Sequence, residues 1–417
     1  MTEPTARPQA ASGGGWWNRT VIGAGITSFL ADLSYETLLA VLPHFLAIIQ
    51  VPVAFLGMME GAADAISSFV KLGAGWWSDR IGRRKPLVVA GYAVSAVMSI
   101  LTAAAVSWPA ILIGRLLAWL GKGVRGPLRN ALLAEAVTPA NRAKTFAMHR
   151  VGDTLGAIIG PILAALFINQ FPSSMFEDPT YNYRILFLLT AIPAILSALA
   201  FALAVPEKKR LDPPKHKLWA VLGLLPMPLK RWLIGVGVFG IGDFSHTLLI
   251  VAAGQLLTPS QGAQQAAVLA TVLYAVRNVA HVLAAIAVGS LSERVGRNRM
   301  LVAGYALGVA TMLGFVLAFV IGANLAAVAI LFVMAGAYLA VEETLEPTLT
   351  ADMVPDENLR GTAFGLLGVV NGVGDFIASA VVGLIWWFNP AFGFAFAAAA
   401  MAIGAVLTSL CPRGSVR

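Results

Sequence analysis

The chain has 417 residues, of which 58% are hydrophobic and only 12% are charged, and its mean hydropathy is +0.78. Soluble domains carry about 25% charged residues, so this composition excludes an ordinary water-soluble fold. The formal net charge of +8 does not indicate a nucleic-acid-binding surface, because the basic residues are concentrated in short loops between apolar segments. These segments are continuous over about 20 residues, whereas the strands of a membrane β-barrel alternate polar and apolar residues over about 10.

Twelve apolar segments in chain order predict twelve transmembrane helices, at 20–48, 53–77, 87–106, 109–133, 146–168, 185–205, 232–257, 264–290, 300–321, 323–350, 362–387 and 391–411. No cleavage site of small residues follows the first segment, so we expect it to remain in the mature protein. The single cysteine, Cys411, excludes an intrachain disulfide and a cysteine metal cluster.

The longest stretch that is not apolar divides the twelve segments six and six. We predict a flexible cytoplasmic tail at 1–18, a first bundle of six helices at 19–205, a Pro- and Lys-rich linker with an interfacial segment at 206–231, a second bundle at 232–411, and a short cytoplasmic tail at 412–417.

Basic residues occur in every second loop between the predicted helices. The loop between the second and third helices has Arg80, Arg83, Arg84 and Lys85, whereas the intervening loops carry only Arg184. Because Lys and Arg are enriched in cytoplasmic loops, both termini are predicted to be cytoplasmic in a multi-pass membrane protein.

The two halves repeat each other. Residues 75–83 align with residues 289–297 at an offset of 214, with five of nine positions identical. Asp32 and Asp243 match at an offset of 211. A near-constant offset between such separated points predicts duplicated halves.

The run Gly75-x-x-x-Asp79-Arg80-x-Gly82-Arg83 and the aligned segment at 289–297 resemble the signature loop of the major facilitator superfamily. The resemblance implies an all-α polytopic membrane protein of twelve transmembrane helices, in two six-helix bundles related by pseudo-twofold symmetry. It also implies a secondary transporter, which binds its substrate between the halves and works by alternating access. An enzyme is not expected, since the sequence has no H-E-x-x-H, G-x-S-x-G, P-loop or Rossmann motif.

A finer resemblance concerns the fifth and fourth helices. Gly156-x-x-x-Gly160-Pro161 is similar to a packing motif of the family's proton-driven exporters, and residues 121–132 are similar to a widespread prokaryotic branch. The resemblance implies a proton-coupled antiporter that exports small organic molecules from the bacterial inner membrane. We expect a functional monomer whose partners are the small-molecule substrate and the lipid bilayer, with no nucleic acid, no metal, and no cofactor beyond protons as coupling ion.

The loop residues predict a conformational latch on the cytoplasmic side. By resemblance, Asp79 faces the partly positive N-terminus of the eleventh helix, and Glu293 faces that of the fifth, when the cytoplasmic side is closed. Glu135 with Arg142 and Asp352 with Arg360 are further candidate pairs. The alternative is that the basic residues only determine topology. The full predicted set is Gly75, Asp79, Arg80, Gly82, Arg83, Glu135, Arg142, Glu293, Arg294, Asp352 and Arg360.

Ionisable residues also lie near the middle of several predicted helices. A charge at the bilayer centre costs about 2.5–3.5 kcal/mol, so such residues normally face a cavity and have a function. Arg277 needs a counter-ion, for which Asp243, Asp32 and Glu36 are candidates. The predicted substrate and proton-coupling set is Asp32, Glu36, Asp243, His246, Arg277, His281 and Asp375.

Two alternatives to this prediction remain open. A fixed Arg–Asp pair would have a purely structural role. A divalent metal or metal complex would instead be the substrate if Asp32, Glu36, Asp243, His246 and His281 supply oxygen and nitrogen ligands.

Other charges are expected nearer the cytoplasm. Glu60 is predicted to join a network on the cytoplasmic side with Lys71. The three carboxylates of the tenth helix, Glu342, Glu343 and Glu346, are candidates to pair with basic residues of the fourth helix, namely Lys122, Arg125 and Arg129.

Overall fold

The computed structural model describes residues 17–81, 83–105, 107–137, 142–207, 225–354 and 357–411. Apart from one short 3-10 turn at Ser173–Met175, its regular elements in this part of the chain are α-helices. In chain order they are α1 (Arg19–Ile48), α2 (Val53–Ile81), α3 (Lys85–Ala104), α4 (Trp108–Glu135), α5 (Arg142–Gln170), α6 (Tyr181–Ala204), α7 (Met227–Gly240), α8 (Thr247–Gln261), α9 (Ala263–Val295), α10 (Arg297–Ile321), α11 (Leu325–Met353), α12 (Glu357–Trp386) and α13 (Pro390–Leu410).

These helices form twelve membrane spans. Ten contain a stretch long and apolar enough to cross a bilayer. Of the two other spans, one is α4, which carries several basic residues, and the other consists of α7 and α8 together. The prediction of an all-α protein with twelve transmembrane helices is therefore confirmed.

Local sequence explains where several helices begin. The side chain of Asn18 accepts hydrogen bonds from the backbone N–H groups of Thr20 and Val21, at 3.0 and 3.1 Å, and so caps α1. Asn389 caps α13 in the same way, with Pro390 as the first helical residue. Proline is favourable there because the first N–H groups of a helix have no partner within it.

The seventh span differs from the sequence prediction. A single helix over 232–257 was expected, but the chain leaves the helix after Gly240 and resumes it at Thr247. Asp243 and His246 therefore lie in the break and not within a helix. Gly242, also in the break, packs closely on α13, since an added Cβ would clash with the backbone oxygen of Ala397 and approach Met401.

Each half is a bundle with its own helix contacts. In the first half α1 packs on α5 and α6, while α3 packs on α4 and α6. In the second half α9 packs on α11, and α13 packs on α7 and α10. The halves meet chiefly where α2 lies against α12 and α5 against α9.

Glycines permit the close approach of α1 and α5. A Cβ added to Gly156 would lie 2.6 Å from the backbone oxygen of Phe29, and one added to Gly160 would lie 2.9 Å from the backbone nitrogen of Thr37. Small residues at a spacing of four are a common device for tight helix packing in membranes. Pro161 follows in α5 without interrupting it.

The two ends of the bundle differ. We call the end where α1 begins and α13 ends the terminal face, and the other end the opposite face. Near the opposite face, the Gln264 side chain donates a hydrogen bond to the backbone oxygen of Ile168 in the other half, at 2.8 Å. The Thr271 hydroxyl donates to the backbone oxygen of Ala40 at 3.4 Å. The halves are thus joined on this side.

Candidate functional site

A cavity of about 330 Å³ lies between the two halves, near the middle of the spans. Its walls come from α1, α4 and α5 of the first half and from the α7–α8 break, α9, α11 and α12 of the second. All seven residues of the predicted substrate and proton-coupling set line it: Asp32, Glu36, Asp243, His246, Arg277, His281 and Asp375. Their roles stay predictions, but the structure brings them together.

The first-half carboxylates lie one helical turn apart on α1. The hydroxyl of Tyr274 on α9 donates a hydrogen bond to the Glu36 carboxylate at 2.7 Å, which links the two halves across the cavity. Gly156 of α5 lies against the Asp32 backbone segment, so Asp32 is held close to α5. Both carboxylates are only partly exposed.

The break in the seventh span places Asp243 in the cavity wall. Its carboxylate accepts a hydrogen bond from the hydroxyl of Tyr338 at 2.9 Å. His246 stacks on the Tyr274 ring, with centroids 5.2 Å apart and planes 10° apart.

Arg277 is only 5% exposed, yet no carboxylate lies within ion-pair distance among the described residues. One terminal nitrogen donates to the neutral Asn278 side chain at 3.2 Å, and the Nε has no hydrogen-bond partner. The expectation that Asp243, Asp32 or Glu36 is a direct counter-ion is therefore not met in this structure.

The remaining members of the predicted set lie nearer the terminal face. His281 on α9 contacts Glu343 on α11, with 3.1 Å between Nε2 and a carboxylate oxygen. Asp375 contributes to the cavity wall from α12. The Glu343 side chain is 46% exposed, so the cavity is accessible from the terminal face. Leu248 and Ile250, on the side of the opposite face, are completely buried.

Sequence reasoning missed the aromatic surroundings of Lys122. Its ammonium lies 4.4 Å from the centroid of the Tyr35 ring and 4.3 Å from that of Trp119, a cation–π arrangement. Both rings line the cavity. Trp119 was the one tryptophan away from the predicted helix ends, a signal that could have identified this wall of the site.

Two carboxylates of α11 find partners within their own half. Glu346 accepts hydrogen bonds from the hydroxyl of Tyr305 and from the Asn371 amide, the latter at 2.7 Å. Glu343 contacts His281, so the expected pairing of Glu343 and Glu346 with the basic residues of α4 is replaced by contacts within the second half. The tyrosine and amide partners, which carry no charge, were not considered from sequence.

A buried ion pair lies inside the first half. One terminal nitrogen of Arg115 donates to both carboxylate oxygens of Glu60 at 2.7 Å, and the Nε donates to one of them at 3.0 Å. The side chains are 3% and 1% exposed. The expected place of Glu60 in a network on the cytoplasmic side was therefore wrong. Arg115 also contacts the hydroxyl of Tyr35 at 3.4 Å, which connects the pair to the cavity wall.

The predicted latch lies largely beyond what the structure describes. Gly82 is outside the described residues, and nothing is described of the side chains of Gly75, Asp79, Arg80, Glu135, Arg142, Glu293 and Arg360. Arg83 and Arg294 are exposed at the terminal face. A carboxylate oxygen of Asp352 lies 2.6 Å from a terminal nitrogen of Arg297. Its predicted partner Arg360 is among the residues whose side chains are not described.

The metal alternative receives no structural support. Within the described ranges, no three His, Cys, Asp or Glu side chains converge in a way that could hold a metal ion. The five proposed ligands line one cavity, but two of them already contact tyrosines and a third contacts a glutamate.

Comparison with known sequences places this architecture in a family. The model of the Major Facilitator Superfamily matches residues 24–276 and 233–414. An uncharacterised MFS-type transporter of Methanocaldococcus jannaschii is 28% identical over 94% of each chain. Multidrug resistance protein 2 of Bacillus subtilis is 24% identical over 91% of this chain and 92% of its own.

Solved structures share the fold. A variant of the nucleoside transporter NupG superposes with a TM-score of 0.77, covering 94% of this chain and all of its own, at 13% identity. A bacterial homologue of the human lysosomal transporter Spinster, solved in an inward-facing and occupied conformation, has a TM-score of 0.64 over 94% of each chain at 16% identity. The twelve spans, the cavity between two halves and the sequence match agree: the chain belongs to the Major Facilitator Superfamily and is a multi-pass membrane transporter, not an enzyme.

Proposed function

We propose that the protein is a proton-coupled antiporter that exports small organic molecules across the bacterial inner membrane, with both termini in the cytoplasm. The observation that carries this proposal is the position of three carboxylates, Asp32, Glu36 and Asp243, in the wall of one cavity between the two halves, since carboxyl groups can bind and release a proton. A proton held beside the substrate cavity can leave when the cavity opens to the other side of the membrane.

The position of Arg277 supports coupling. It lines the same cavity as Glu36 and Asp243 and forms no described ion pair with either. A carboxylate that loses its proton can attract this cation, so that proton release and side-chain rearrangement are linked. Export as the direction is supported by the names of the multidrug resistance relatives in Bacillus subtilis and Escherichia coli.

Proton flux in proteoliposomes tests the proposal. The protein is reconstituted around a trapped pH indicator, and two permanently charged probes, benzyltrimethylammonium and benzenesulfonate, are added in turn. We expect at least one probe to drive proton movement, and we expect at least a tenfold loss of that flux when Asp32→Asn, Glu36→Gln and Asp243→Asn are combined, because no coupling carboxylate then remains on α1 or in the break.

The matched control is Glu177→Gln, which removes one exposed carboxylate from the loop between α5 and α6 and should leave the flux unchanged. Equal flux in the wild type and the triple variant would refute coupling through these three residues.

A further inference from the structure

We infer that the transported molecule carries an anionic group, a carboxylate or another oxyanion, and that Arg277 binds this group at the N-terminus of α8 while Lys122 approaches it from the other half. The inference rests on the proposed transport function and specifies the chemical class of its substrate.

The first argument is the unmatched charge of Arg277. Its side chain is 95% removed from solvent and lines the cavity, but the neutral Asn278 side chain is its hydrogen-bond acceptor in the described structure. A guanidinium has five N–H donors in a planar fork that suits an oxyanion. Leaving such a group buried without an acceptor is costly, so a ligand that supplies oxygen atoms would be bound strongly.

The second argument is a comparison with the other basic side chains in the spans. Arg115 has a bidentate carboxylate, Arg129 donates to the hydroxyl of Tyr92 at 3.2 Å, and Arg125 stacks over the Tyr92 ring at 4.2 Å. By contrast, the Arg277 guanidinium lies 5.8 Å from the centroid of the Tyr274 ring and has a free Nε. The Nε of Arg129 also has no partner, but Arg277 lines the central cavity whereas Arg115, Arg125 and Arg129 do not.

The third argument is the helix start beside it. The fifteen-residue helix α8 begins at Thr247, in the middle of the membrane, and residues Ser245, His246 and Leu249 around this start line the same cavity as Arg277. The N-terminus of a helix carries a partial positive charge, so it favours an anion. The N–H groups of Leu248, Leu249 and Ile250 already donate to backbone oxygens of Ser245 and His246, so the contribution of α8 is this charge rather than free donors. Half-helices that end inside the membrane are used in this way by other transporter folds.

Lys122 completes the arrangement from the first half. It and Arg277 both line the cavity, Lys122 from the first half and Arg277 from the second. Its contacts with the Tyr35 and Trp119 rings leave the ammonium donors available. An aromatic or apolar body attached to the anionic group would lie against these rings.

The nearby carboxylates do not form an ion pair with Arg277 in the described structure. Glu36 accepts a hydrogen bond from the Tyr274 hydroxyl, and Asp243 accepts one from the Tyr338 hydroxyl. Each therefore has a partner other than the arginine, and the space beside the guanidinium remains within the cavity.

Thermal unfolding of the purified protein tests the inference with three probes of similar size: benzenesulfonate, the neutral benzenesulfonamide and the cationic benzyltrimethylammonium, all at constant ionic strength. We expect benzenesulfonate to raise the melting temperature of the wild type in a saturable manner, and the neutral probe to have no such effect. Arg277→Gln should abolish the response, Arg277→Lys should retain part of it, and Lys122→Gln should weaken the apparent affinity at least threefold.

The matched control is Arg231→Gln, which removes the same charge from an exposed position near the terminal face and should respond like the wild type. Equal stabilisation of the wild type and Arg277→Gln, or no stabilisation of the wild type by benzenesulfonate, would overturn the inference. If Arg277→Gln does not fold, an unchanged affinity in Lys122→Gln together with Arg277→Lys would overturn it as well.

The outcome is separable from that of the proposed antiport. Proton-linked flux driven by benzyltrimethylammonium alone would leave antiport standing and contradict the anionic substrate. Binding of benzenesulfonate that depends on Arg277, without proton-linked flux for any probe, would keep the site and contradict antiport.

Discussion

At the residue scale, two buried arginines, Arg115 and Arg277, differ in their partners. Arg115 forms a complete ion pair with Glu60, whereas Arg277 lies in the cavity beside a neutral amide. The sequence could predict that both arginines are in membrane spans, since each lies within an apolar segment. It could not predict which of them has a carboxylate partner, because the Glu60–Arg115 contact joins α2 to α4 and depends on the packing of whole helices.

The Glu60–Arg115 pair gives a stability prediction. Glu60→Gln leaves a buried guanidinium without its carboxylate, and breaking a buried pair in this way costs about 3–5 kcal/mol. We expect a clearly lower melting temperature in detergent, measured by intrinsic fluorescence. Asp352→Asn is the comparison, because it breaks a pair whose side chains are 39% and 37% exposed and which is worth about 0–1 kcal/mol. Similar losses in both variants would show that burial does not set the strength of the Glu60 pair.

At the element scale, the helix count was predictable and the break in the seventh span was not. Apolar length identified twelve spans, because each must cover the bilayer. The glycines at 235, 237, 240 and 242 permit close packing of this span on its neighbours. They do not by themselves predict the break, since glycine is compatible with both a continuous and a broken helix and the choice depends on contacts with α12 and α13.

Close packing of α2 on α12 gives a second stability prediction. A Cβ at Gly57 would clash with the backbone oxygen of Ser379 and lie 3.2 Å from the Cα of Gly383. Gly57→Val should therefore force the helices apart at a cost of about 1–3 kcal/mol, seen as a lower melting temperature. Gly73→Val in the same helix is the control, since a Cβ there meets nothing within 4 Å. Equal melting temperatures for the two variants would contradict this account of the interface.

At the scale of the whole molecule, the duplicated halves and their cavity were predictable from the repeat and the family resemblance. The conformational state of the molecule was not predictable, because two conformations of an alternating-access transporter have the same sequence and the same helices. In this structure the halves are bonded near the opposite face, by Gln264 to Ile168, while Glu343 in the cavity is exposed toward the terminal face. Transport requires this opposite-face contact to open.

The most direct test of the central claim, protonation-linked alternating access, is a distance measured across the opposite face. Spin labels are placed at Gln170 and Ala263, which are exposed ends of α5 and α9 in different halves, after Cys411→Ser removes the native thiol. We predict a short and a long distance whose populations change between about pH 6 and pH 8 in the wild type, and populations that no longer respond to pH when Asp32, Glu36 and Asp243 are neutralised together. A single distance at every pH, or the same pH response in the neutralised variant, would contradict the account.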